Sequence, residues 1–126
     1  DIGIFKCNAP GIQCFGNAPY IQHGRIGAEL LRNEGYPQHA RVCERHTGAG
    51  LTQKEIIEQE LPLPQQDFLP ETTEEKLICY ADKFFSKTHL DIEKTFEQAV
   101  KSLAKFGCEG VERFIVWHNM FEPTTR

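Results

Sequence analysis

An excess of positive charge is the first thing this chain lacks: 14 Lys and Arg stand against 18 Asp and Glu, for a formal net charge of -4. A general nucleic-acid binder carries a basic surface, so that class is not expected, and an anionic ligand must be drawn in by something local. No apolar run approaches the ~18 residues that span a bilayer, so no membrane partner is expected either. The five cysteines, Cys7, Cys14, Cys43, Cys79 and Cys108, are odd in number and never form a Cys-x-x-Cys pair. That excludes a zinc ribbon and a disulfide framework, and points to a reducing cytoplasm. Strand signals are weak and no internal repeat is visible. Neither a Gly-rich phosphate loop between strand and helix nor a nucleophile motif in context is present.

What is present is helical spacing. At 126 residues the chain is of single-domain length and can bury a real core. Residues 7–20 carry Pro10, Gly11, Gly16 and Pro19 and read as a loop. Helices are expected over 20–34 and 37–47, punctuated by Gly35 and Pro37, then over 53–59 behind the capping box Thr52-Gln-Lys-Glu55. Leu61-Pro-Leu-Pro64 through Pro70 should cross in extended form. Thr72-Thr-Glu-Glu75 opens a helix to about Lys87 whose Leu77, Ile78, Ala81, Phe84 and Phe85 form a buried stripe. Asp91 should cap the next helix, and the last spans about 109–121. The expected fold is all-α.

The histidines are informative through their spacing. If the short turn at Gly35 makes the first two helices antiparallel neighbours, His23 and His46 lie level, each roughly 16–19 Å from the turn at ~1.5 Å per residue. His39 and His46 are about two turns apart, roughly 10 Å, too far to share one ion. Cys43 is better read as a packed thiol, and His118 as a hydrogen-bonded core histidine. Asp82 falls on the edge of an apolar stripe, where an acid is costly unless paired or bound to metal. With Asp1, these residues make a possible His/Asp metal site suited to a first-row divalent ion.

In its segments the chain resembles the HD superfamily of metal-dependent phosphohydrolases. Asp1-Ile-Gly3 is similar to the end of the His-Asp-Ile-Gly signature, and Gln22 to Arg32, Glu44 to Thr52 and Leu69 to Lys83 fit one uncharacterised branch. The resemblance covers roughly residues 1–87 and implies an HD-domain-like helical bundle, a single domain over 1–126 lacking its N-terminal helices. It further implies that Asp1, His23, His46 and Asp82 ligate divalent metal (Mn, Fe, Co, Ni, Mg or Zn), with Asp1 catalytic. Two departures stand out: the preceding His is absent, and Ile4 stands where the family has Lys, with Lys6 two residues later.

The implied chemistry is hydrolysis of a phosphate ester, a nucleotide or other small phosphorylated metabolite, by metal-activated water. Lys6, Arg25 and Lys83 would hold phosphate oxygens, and a homodimeric state is compatible with this reading. The alternative is a non-catalytic helical module that binds a nucleotide or a protein.

Overall fold

The computed structural model describes residues 1–86 and 91–123. A one-turn 3-10 helix, Ile2–Lys6, leads into the strands β1 (Asn8–Ala9) and β2 (Cys14–Phe15), which pair antiparallel with Asn8 opposite Phe15 and Ala9 opposite Cys14. Pro10–Ile12 turns the chain between them, and Gln13 completes the reversal in the left-handed region at φ 61°. Six α-helices follow among the described residues: α1 (His23–Asn33), α2 (Pro37–Glu44), α3 (Gln53–Glu58), α4 (Thr73–Asp82), α5 (Phe96–Ala104) and α6 (Cys108–Phe121). The expected all-α, HD-domain-like bundle is therefore corrected. The fold is mixed, mainly helical with a two-stranded sheet, because the turn residues of the expected loop fold back into a hairpin rather than simply linking helices.

Gly35, at φ 88°, ends α1 as its lack of a side chain allows, and Pro37 opens α2 at a position that needs no amide donor. The α1 seam is built mainly of small residues. Its buried residues are His23, Gly24, Gly27 and Ala28, so small side chains let α2 and the opening 3-10 helix approach closely. A second layer packs α4, α5 and α6 around Phe114, with Cys79, Tyr80, Ala99, Leu103 and Trp117. The buried face of α4 is Glu75, Cys79 and Tyr80, while Leu77, Ile78 and Phe85 are exposed. The expected stripe on that helix is thus rotated by about one position, because Tyr80 turns toward Phe114 and Glu75 toward Arg41. The helix also stops at Asp82; its expected end at Lys87 lies outside the described residues.

Caps set several helix starts. Thr52 and Glu55 exchange both bonds of a capping box. Thr95 and Gln98 do the same for α5, so Thr95 rather than Asp91 caps that helix. At α4 only half the box forms: Thr72 accepts from the Glu75 amide, while the Glu75 carboxylate turns away to Arg41. Thr72→Ala should therefore lower stability by about 1 kcal/mol, read as a shift in the urea midpoint, and an unchanged midpoint would remove the cap from the account. No helix among the described residues is long and apolar enough to cross a membrane.

A candidate binding site around a histidine pair

The seam of small residues brings His23, the first residue of α1, against His46, two residues beyond the end of α2. Both rings are nearly buried, at 3% and 7% exposure. Each is aimed by a backbone carbonyl: His23 Nδ1 lies 2.7 Å from the Tyr20 oxygen, and His46 Nδ1 lies 2.6 Å from the Cys43 oxygen. A carbonyl only accepts, so both Nδ1 atoms carry the proton, an assignment made from these partners. In the neutral rings both Nε2 atoms then present lone pairs, 3.1 Å apart. Asp1 Oδ1 faces the same point, 3.3 Å from His23 Nε2 and 2.8 Å from His46 Nε2.

Three electron-rich atoms within 4.8 Å of one another make this corner one that could hold a metal ion or a proton. Burial, then the Lys83 ammonium, pushes His46 down from its ordinary 6.5 to about 4, although the Asp82 carboxylate and the Cys43 carbonyl work the other way. His46 is thus neutral near pH 7.

The sequence-derived site residues separate on inspection. Asp1, His23 and His46 converge. Asp82 stands outside that group at the end of α4, its Oδ2 2.9 Å from Lys83 Nζ, with both side chains lining the cavity beside the histidines. Lys83 also donates to the His46 carbonyl at 2.7 Å, which fixes the loop that carries the ring. Lys6 is exposed, over the Phe5 ring. Arg25 lines a different, small cavity near Glu44 and Leu63, and its Nε is buried with no hydrogen-bond partner among the described residues. His39 packs on Tyr36, with ring centroids 5.6 Å apart. His118 is held by Tyr80 Oη at 2.8 Å and stacks near Phe96.

The cavity beside the histidines is open and about 490 Å³ in volume. Tyr20, Phe85, Leu103 and Phe106 supply apolar wall, and Lys94 joins Lys83 as a second cation. Sequence reasoning missed Tyr20, whose ring lies 4.7 Å from that of His23; its position three residues earlier was the available signal. Nothing local marks Lys94, which reaches the cavity only through tertiary packing.

No family model and no solved structure matches the chain. Three relatives do. An uncharacterised protein of Methanocaldococcus jannaschii is 42% identical over 87 residues, 68% of this chain and 50% of that protein. A tRNA (cytidine(56)-2′-O)-methyltransferase of Picrophilus torridus is 45% identical over 67 residues, 52% of this chain and 19% of the enzyme. The same named enzyme of Thermoplasma volcanium is 34% identical over 100 residues, 78% of this chain and 28% of the enzyme. The chain thus spans half or less of the length of the curated relatives it matches. These relatives overturn the HD-superfamily resemblance and, with it, the expected metal-dependent phosphohydrolase. The two relatives with an assigned activity are named as tRNA 2′-O-methyltransferases, not as phosphohydrolases. The expected divalent-metal cofactor falls with that chemistry, leaving a His/Asp cluster in the structure. The expected small phosphorylated substrate and the absence of nucleic-acid binding are corrected in the same way, since the substrate in both names is tRNA.

Proposed function

We propose that this chain is the RNA-engaging part of a protein of the tRNA 2′-O-methylating kind. The observation that carries the reading is the identity shared with two tRNA (cytidine(56)-2′-O)-methyltransferases. In such a reaction a ribose 2′-hydroxyl loses its proton and attacks a methyl group on a sulfonium, which S-adenosylmethionine supplies. The residues at the described cavity do not fit that donor: its two ammonium groups, Lys83 and Lys94, repel a sulfonium at close range. No methyl-transfer step is therefore derived from this chain.

The same groups suit a ribose–phosphate backbone. Lys94 is placed to meet a phosphate, Lys83 supports it while held by Asp82, and Tyr20, Phe85 and Phe106 offer rings on which an unstacked base can lie. Asp1, His23 and His46 are proposed as the site residues of the corner beside that cavity. Lys6 and Arg25 take no part, because neither lines the cavity. Residues 1–126 are read as one unit. A cytoplasmic setting is proposed on the five free thiols.

An unmodified tRNA transcript titrated with the protein at about 50 mM salt should show saturable binding below about 100 µM, the range of even non-specific contacts. Lys94→Ala should weaken it several-fold. Absence of binding to the transcript by the wild type would overturn the reading.

A further inference from the structure

An open groove of about 350 Å³ continues from the histidine cavity, sharing Ser86, Lys94 and Ser102 with it. Its floor is one side of α5, and it is lined further by Ile92, Gln98, Lys101 and Lys105. Three of these seven residues are lysines and none is acidic, in a chain whose net charge is -4. Lys101 and Lys105 are both exposed and stand one helical turn apart, about 6 Å along the axis. Lys94 lies ahead of the helix, seven residues before Lys101, and lines the same groove. Glu97, the acid of the first turn, lines a neighbouring groove that shares Gln98 and Lys101 with this one, so it borders the lysine row without entering the groove itself.

No ion pair within 4.0 Å involves Lys94, Lys101 or Lys105 among the described residues, whereas Lys54 and Lys83 are paired. The segregation of charge is therefore local and directional. A row of ammonium groups beside the Gln98 amide suits a polyanion with regularly repeated charge. It does not select a compact anion, which one or two donors and a closed pocket would hold better.

We infer that the groove lined by Lys94, Lys101 and Lys105 along α5 is a track for the phosphodiester backbone of RNA, leading a strand from the outer surface to the histidine cavity. This rests on the RNA reading above and goes beyond it by naming the surface. The strand's phosphates run along the lysines, and one nucleotide enters the cavity between Tyr20 and Phe106. An acidic protein segment, whose carboxylates repeat less regularly, is the competing occupant.

The test is fluorescence anisotropy with a labelled tRNA transcript across a series of KCl concentrations, comparing wild type with Lys101→Glu/Lys105→Glu. Both positions are exposed, so the variant should melt with the wild type. A matched reversal elsewhere, Lys54→Glu/Lys76→Glu, controls for net charge. The track predicts at least a tenfold loss of affinity in the first variant. It also predicts a salt-dependence slope smaller by about 1–2, because each lost phosphate contact removes roughly 0.7–0.9 from it; the control should shift little. Wild-type binding with an unchanged slope in the α5 variant, or an equal loss in the control, would overturn the track while leaving RNA binding in place. No wild-type binding to the transcript would overturn the RNA reading itself. Binding to polyglutamate in preference to the transcript would assign the groove to an acidic protein and overturn the track.

Discussion

Replacing Arg41 with alanine should destabilise the protein by about 3–5 kcal/mol, the cost of leaving a buried carboxylate without its counter-charge. Glu75 is only 4% exposed. Arg41 Nε donates to one of its oxygens at 2.8 Å, and Nη2 lies 3.4 Å from the other and 2.6 Å from Glu71. The Glu71 amide donates to Glu75 as well, at 2.9 Å. The nearest substitute, Arg45 Nε, is 3.9 Å away, too far to take over the bond. For a chain of this size the loss corresponds to a fall in Tm of roughly 10–20 °C. Adding Glu75→Gln to the alanine variant should recover part of it, since a buried amide costs less than a buried charge. A urea midpoint unmoved by Arg41→Ala would show the pair to be energetically idle.

The same pair sets a pH dependence. Burial alone would raise the Glu75 carboxyl, but the Arg41 hydrogen bond and the Glu71 amide outweigh it and hold the group below its usual range. Its folded pKa is thus depressed relative to the unfolded chain. The stabilisation is complete above the unfolded value of about 4.3 and is lost as pH falls below that, through the folded value. Urea midpoints should drop between about pH 5 and pH 3, and less steeply in Arg41→Ala.

Gly3→Ala should be comparably severe. A β-carbon there would sit 2.3 Å from the His23 carbonyl oxygen and 2.4 Å from the Gly27 amide nitrogen, both backbone atoms of α1. Backbone cannot swing aside as a side chain can, so the cost should reach about 3 kcal/mol or more, at the top of the range for overpacking. The displacement would also carry Asp1 away from the two imidazoles it meets at 2.8 and 3.3 Å. Histidine ring signals in NMR spectra should shift even in the surviving folded fraction. Gly11→Ala is the internal control, because nothing lies within 4 Å of its added carbon; it should stay within about 0.5 kcal/mol of wild type. Equal melting of the two variants would refute the close approach.

Local chemistry was readable in the sequence wherever it was strong. The Thr52 capping box, the left-handed Gly35 and the level placement of His23 with His46 follow from spacing alone. The hairpin at residues 8–15 was not readable, because two-residue strands have no periodicity. The buried face of α4 was misjudged for a physical reason: apolar spacing favoured Leu77 and Ile78, yet a charged residue, Glu75, takes the interior because Arg41 pays for it. Thr95-Phe-Glu-Gln98 carried the α5 cap in plain view. The phosphohydrolase expectation follows from the resemblance of segments within residues 1–87, and the named relatives correct it. Similar His/Asp sets serve several chemistries.

Arg113 gives the histidine corner a history as well as a shape. From the middle of α6 it donates to the Ala49 and Gly50 carbonyls at 2.7 and 3.0 Å and meets Glu55 at 3.2 Å. Those carbonyls belong to the glycine-rich turn just after His46, 64 residues earlier in the chain. A contact of that separation forms only once a long loop has closed, and the entropy of closure precedes any return from it. On a ribosome, His23, His46 and Asp1 would all have emerged long before the helix that steadies them. The corner is made well before the helix that steadies it and is set in place only once that helix has packed.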